Sequence, residues 1–232
     1  MTKLIQPPAE AGLAPPVRAG SGTVEMEPGR PIPVQDRALR TRAALLSSVE
    51  ALVAEEGAAA VTTTRVADAA GVSVGTLYRY FADRDDLLLA AYDGTVERIV
   101  SVCAGALESL PDGLSVEDAA RRLLAVYLAA AEAIPAHAGL LKAMRAVRPV
   151  EADHDNAHSG VIEEILAPFL ARFAAPGTKA DPMRLNLLNV LMSTLVDLYL
   201  VTRSPADRAA LREEIEAHML LAVARLDIGR GR

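Results

Sequence analysis

The stretch that most constrains this chain runs from Thr62 to Phe81, TTTRVADAAGVSVGTLYRYF. Helix-forming and helix-stopping residues alternate there over a distance that suits two short helices and a tight turn. The Thr62 hydroxyl can accept from a free backbone N–H of a first turn, so Thr62 is a good N-cap. A helix from there to about Ala70 turns Val66, Ala67 and Ala70 to one side. Gly71 stands where a helix end wants a residue tolerant of positive φ. Val72 plugs the turn, and Ser73 can cap a second helix beginning at Val74. Leu77 and Phe81, four apart, give that helix its buried stripe. What remains outward is Gly75, Thr76, Tyr78 and Arg79: small, hydroxyl-bearing, aromatic and cationic, the makeup of a helix lying in a DNA major groove. A helical hairpin also occurs without DNA, but it has no need of that outward set.

The run A-D-A-A-G-V-S-x-G-x-L-Y-x-Y-F, followed by Asp83, Arg84 and Leu87, resembles the DNA-binding domain of the tetracycline-repressor (TetR) family of bacterial regulators. The similarity extends from near Arg37 to Leu88. It implies a homodimeric transcriptional regulator, usually a repressor, that leaves its operator when a small hydrophobic ligand binds. Carried over residue by residue, it makes Val74, Gly75, Thr76 and Arg79 the base-reading surface, next to the capping Ser73. Thr63, Thr64, Tyr78, Tyr80 and Arg84 become phosphate clamps. Gly75 has no side chain, so any readout through it is close backbone approach.

Length and charge bound the rest. With 232 residues the chain can bury a substantial core. Ala and Leu dominate and Trp is absent, which favours helix. The formal net charge of −6 does not advertise a nucleic-acid binder, yet phosphate contacts need a local patch rather than a global excess. A single cysteine, Cys103, rules out an intramolecular disulfide and suits a reducing cytoplasm. It falls within an apolar helix pattern, as a buried inert thiol does. No signal peptide is visible. The longest uncharged run of the C-terminal half, Leu185 to Val196, is too short to cross a bilayer, so a cytoplasmic protein without a membrane partner is expected.

Periodicity predicts an all-α chain, with a three-helix N-terminal helix-turn-helix domain and a six-helix C-terminal domain; the resemblance implies that the latter serves ligand binding and dimerisation. Residues 1–34, rich in Pro, Gly and Ala, read as a disordered arm. The DNA-binding domain spans 35–82 and the second domain 83–232. A first helix from about Asp36 to Glu56 buries Leu45, Val49 and Leu52 and stops at Gly57. Asp83 caps a long fourth helix to about Leu110, a rod linking the DNA-reading end to the rest. Further helices follow over about 115–133, 136–147, 156–174, 181–202 and 204–227, the third of these kinked or tightened at Pro168.

Asp153, His154, Asp155 and His158 are the only cluster with metal-ligand flavour, and a polar interhelical loop accounts for them without a metal. No Gly-rich phosphate loop exists, and no Ser–His–Asp set can be argued from spacing. Neither enzymatic activity nor a cofactor is expected. Asn186, Asn189, Ser193 and Asp197 recur at helical spacing on an apolar background. They cross a dimer interface, line a ligand cavity or face solvent, preferred in that order. Tyr127, His137, Met144, Phe169, Asn189 and Ser193 are the candidate pocket residues. Leu191, Leu195, Leu198, Leu220 and Leu221 are the candidate dimer contacts. The partners expected are a double-stranded DNA operator with an inverted repeat, a small-molecule effector and a second copy of the chain.

Overall fold

The protein is described by a computed structural model covering residues 34–148, 159–174 and 182–227. Arg30 with the rest of the expected N-terminal arm up to residue 33, the Asp153–His158 cluster and the linker 175–181 lie outside the described residues. Among the described residues the chain is helical, with no strand.

Helix α1 (Val34–Glu56) begins two residues before Asp36, which falls in its first turn. It ends at Gly57, whose φ of 87° is reached without strain only by glycine. A single 3₁₀ turn (Ala58–Ala60) leads to α2 (Thr63–Ala69) and α3 (Val74–Leu77). Leu45, Val49 and Val53 of α1 are buried in one cluster with Val61, Val66, Leu77 and Phe81. Two short helices thus obtain from α1 the apolar cover that neither can provide alone.

Asp83 caps α4 (Arg84–Ser109) by accepting from the Asp86 N–H at 2.8 Å, while the Asp86 carboxylate accepts from the Ala82 N–H at 2.9 Å. The reciprocal pair fixes where this rod of 26 residues starts, and at 1.5 Å per residue it spans about 39 Å. Ser115 caps α5 (Val116–Glu132), and α6 (His137–Val147) leaves it at 89°. Helix α7 opens as Ser159–Val161, widens into a π-helical segment Ile162–Leu166 and continues as Ala167–Phe173. The sequence predicted a kink or tightening at Pro168; the helix loosens instead. The Ala167 N–H reaches back five residues to the Ile162 carbonyl, immediately before the proline that has no N–H to offer.

Helices α8 (Pro182–Val201) and α9 (Pro205–Asp227) complete the described chain. Among the described residues α8 is the one helix long and apolar enough to cross a membrane, by length and composition, which the shorter run Leu185–Val196 did not suggest. Its Leu185, Leu188, Val196 and Tyr199 are buried in the protein's own core.

The apolar core does not divide at residue 82. Ala136, Leu140, Leu141 and Met144 of α6 lie in the same cluster as Leu45 and Leu77, together with Leu87, Leu88 and Ala91 of α4. At Gly139 a Cβ would sit 2.7 Å from Val53 Cγ1, so only glycine lets α6 come this close to α1. Helix α6 is therefore built into the base of the helix-turn-helix. Beyond it, Leu107, Phe169, Leu185 and Met219 belong to a second cluster, while Leu128, Val196, Tyr199 and Ile215 form another.

Candidate nucleic-acid interface and effector cavity

Local chemistry sets the two short helices. The Thr62 side chain accepts from the Arg65 N–H at 3.2 Å, and Ser73 from the Thr76 N–H at 3.1 Å. Between them the chain makes a Schellman turn: Val72 N–H bonds the Ala67 carbonyl, Gly71 N–H bonds the Asp68 carbonyl, and Gly71 takes φ 67°. Helix α3 is only one turn long. Past Leu77 the chain continues as turns in which the Tyr80 and Phe81 N–H groups both bond the Leu77 carbonyl. Phe81 is still buried, with the Arg42 guanidinium 5.6 Å from its ring centroid.

The residues expected at DNA divide by exposure. Thr64, Ser73, Gly75, Tyr78 and Arg79 are exposed, and the Arg79 guanidinium has no hydrogen-bond or ion-pair partner among the described residues. Tyr78, 53% exposed, has its hydroxyl 3.5 Å from Thr63 Oγ1, which ties the end of α3 to the start of α2. Val74 and Tyr80 are partly buried and pack on the core beneath. Thr76 is also partly buried, its hydroxyl 2.9 Å from Ser73 Oγ and engaged in the cap.

Arg84 has work other than the phosphate contact expected of it. Its Nε donates to the Val61 carbonyl at 2.8 Å, one Nη to the Ala58 carbonyl at 2.7 Å and the other to Asp85 at 3.0 Å. Arg65 is engaged similarly, with Glu56 and the Ala60 carbonyl. Two arginines thus clasp the loop between α1 and α2 and hold the two short helices against the first. Arg37, Arg40 and Arg42 at the opening of α1 are exposed cations as well.

The second feature is a cavity of about 140 Å³ among α4, α5, α7, α8 and α9. Of the expected pocket residues, Tyr127, Phe169, Asn189 and Ser193 line it. His137 and Met144 do not; both are buried where α6 meets α4, below the helix-turn-helix. The reason is the sharp bend after α5, which swings α6 out of the second domain. His137 stacks on Tyr92 with ring centroids 5.7 Å apart, and its Nδ1 lies 2.7 Å from Thr95 Oγ1. Because the Thr95 hydroxyl gives its one proton to the Tyr92 carbonyl at 2.6 Å, Nδ1 carries the imidazole proton and donates to it. Burial, seconded by the Arg98 charge, pushes the His137 pKa down to about 4.

Of the polar stripe on α8, Asn189, Ser193 and Asp197 line the cavity, and Asn186 does not. Asp197 is paired with Arg145 of α6, Nε to Oδ2 at 2.9 Å, so the cavity wall is joined to the helix under the DNA-reading end. A carboxylate in an apolar helix demands a cation, which is the signal that announced a partner without naming it. Cys103 also lines the cavity, and burial lifts its thiol to about 11, in keeping with an inert, protonated side chain.

The opposite side of α8 presents Met183, Leu187, Leu191, Leu198 and Val201 to the exterior, and α9 adds Leu221. Leu195 and Leu220, expected beside them, are instead partly buried within the subunit, against the Ile215 and Met219 clusters respectively.

A clasped helix-turn-helix, with an exposed arginine in the turn just past its second helix, is joined by a long rod to a helical region with its own cavity. Residues 45–91 match the profile of the bacterial regulatory proteins of the tetR family. Over that stretch, which holds the helix-turn-helix, the chain is similar to the DNA-binding region of this family. Among curated proteins none matches it significantly. Solved structures share the fold at low identity. A TetR transcriptional regulator from Rhodococcus sp. RHA1 matches at TM-score 0.58 and 20% identity, over 85% of this chain and 100% of that one. The repressor AlkX from Dietzia sp. strain DQ12-45-1b, implicated in n-alkane biodegradation, matches at TM-score 0.54 and 19% identity, over 86% and 97%. RolR, solved with its ligand resorcinol, matches at TM-score 0.52 and 20% identity, over 85% and 97%.

Proposed function

We propose that the protein is a cytoplasmic homodimeric repressor that binds an inverted-repeat operator and is released by a small apolar effector. The observation that carries the DNA half is Arg79, its side chain exposed and unpaired in the turn just past α3, a turn fixed by the Tyr80 and Phe81 N–H bonds to the Leu77 carbonyl while the Ser73 cap holds the other end of the helix. A free guanidinium on a rigid mount is what bidentate reading of guanine requires. Ser73, Val74, Gly75 and Thr76 form the rest of the base-facing turn, with Thr63, Thr64, Tyr78 and Tyr80 flanking it at the phosphates. Arg84 contributes chiefly by holding the loop.

The effector half is supported by the cavity between α4 and α8, and by RolR, which binds resorcinol in a related fold. The dimer is supported by the apolar stripe of α8, where Leu187 is 68% exposed. A helix apolar on both sides needs cover on both. Two copies packing α8 and α9 would set two α3 helices about 34–36 Å apart or a multiple, hence the inverted repeat. An effector acts by preferring one spacing over another.

The test is selection of bound duplexes from random DNA, followed by anisotropy titration of wild type and Arg79→Ala on the selected and a scrambled sequence. We expect an inverted repeat, steep weakening with salt, and loss of about 1–3 kcal/mol of sequence preference in the variant. An unchanged ratio between the two duplexes means that Arg79 reads no base. Failure to enrich any sequence removes the operator reading altogether.

A further inference from the structure

Asn189 is the odd residue of the second domain. It is 3% exposed, lines the cavity, and its Nδ2 meets no hydrogen-bond partner among the described residues. A buried amide donor without an acceptor is a cost that folding alone does not explain. Leu188, Met192 and Val196 of the same helix give the wall apolar side chains, with Ser193 and Asp197 as its other polar members there. The amide is thus presented to whatever fills the cavity.

Size and charge narrow that occupant. At about 140 Å³ the cavity is close to the engineered space of about 150 Å³ that takes benzene, and well below the several hundred cubic ångström of drug-sized sites. That space is filled by roughly one six-membered ring with a short substituent. Among the described residues the only charged side chain on the wall, Asp197, already has the Arg145 guanidinium. An anion would meet the Asp197 carboxylate in an apolar space, and a cation would have to displace Arg145; each costs more than a neutral ligand. The Tyr127 hydroxyl, which burial keeps protonated, adds a neutral polar group to the wall.

We infer that the effector is an uncharged, largely apolar molecule about the size of one substituted ring, with a single hydroxyl or carbonyl oxygen that accepts from Asn189 Nδ2. A hydroxyl suits either orientation of the amide, since it both donates and accepts. This rests on the reading of the cavity as an effector site and adds the chemical class and the residue that selects it.

The test uses the full chain and two probes of equal size, benzyl alcohol and ethylbenzene, with benzoate and benzylammonium as charged counterparts. Binding is read by calorimetric titration and by melting temperature. The alcohol should bind about tenfold more tightly than the hydrocarbon, the yield of one neutral hydrogen bond to an otherwise orphaned donor, and neither ion should shift the melting temperature. Asn189→Leu should bring the alcohol-to-hydrocarbon ratio to one or below, since the hydroxyl then lacks that partner, and should raise the melting temperature of the unliganded protein, because it removes the orphan donor. A merely structural asparagine would lower that temperature. Equal binding of alcohol and hydrocarbon to wild type, tight binding of either ion, no binding of any probe, or a destabilised Asn189→Leu protein overturns the inference. If the probes bind with the expected preference but leave operator affinity unchanged, the ligand class stands and the release mechanism falls. If other compounds release the operator while the oxygen preference is missing, the regulator stands and this inference falls.

Discussion

Acidification should loosen the joint between α4 and α6 through one side chain. His137 is buried between Tyr92 and Thr95, and its pKa is held near 4 by burial and by the Arg98 charge. In the unfolded chain the same imidazole titrates near its ordinary value of 6.5. The folded pKa is the lower one, so between the two values the unfolded chain binds more protons and stability rises with pH. The stabilisation is complete above pH 6.5 and drains away as pH falls toward 4. Taking the two pKa values together, the loss from pH 7.5 to pH 5 is about 2 kcal/mol, with about 0.9 proton taken up on unfolding at pH 5. Urea unfolding of wild type and His137→Gln at fixed protein concentration checks this, since glutamine can still donate to Thr95 and does not titrate. The variant should be less stable at pH 7.5 yet lose about 2 kcal/mol less than wild type on going to pH 5. Parallel pH profiles for the two proteins, or a wild type that gains stability on acidification, would refute the reasoning.

Two further tests address the proposed assembly and DNA surfaces. Leu191→Glu or Leu221→Glu, both at exposed positions, should give a folded monomer by light scattering with operator affinity reduced at least tenfold; a normal dimer would place the interface elsewhere. The same change at Leu195 is a poor probe, because that side chain packs inside its own subunit. Gly75→Ala should leave the melting temperature unchanged or raise it, by up to about 1 kcal/mol of helix propensity, since a Cβ there meets nothing closer than Ser73 Oγ at 3.9 Å. Operator affinity should fall all the same if DNA approaches this backbone, and an unchanged affinity discards Gly75 as a contact.

What the sequence determined by itself is what short-range chemistry decides. The Thr62, Ser73, Asp83 and Ser115 caps each act on a backbone N–H three residues away. The positive φ of Gly57 and Gly71 belongs to glycine, and the helix ends at Gly57, Ser109 and Val147 follow from residues beside them. Such interactions close within one turn, so a linear reading recovers them, and with them the helix-turn-helix. The assignment of side chains to cavity, junction or exterior is different in kind. Helix α8 is apolar on nearly every side, so its periodicity could not say which leucines face inward; packing against α5, α6, α7 and α9 covered Leu188 and Val196 and left Leu187 and Leu198 bare. His137 and Met144 went to the DNA-binding end because the 89° turn after α5 carries α6 there. The Arg84 guanidinium found carbonyls 23 and 26 residues earlier in the chain, and Arg145 found Asp197 52 residues later. Those pairings depend on the angles at which helices dock, and docking angles are set by many side chains at once, which no local pattern encodes.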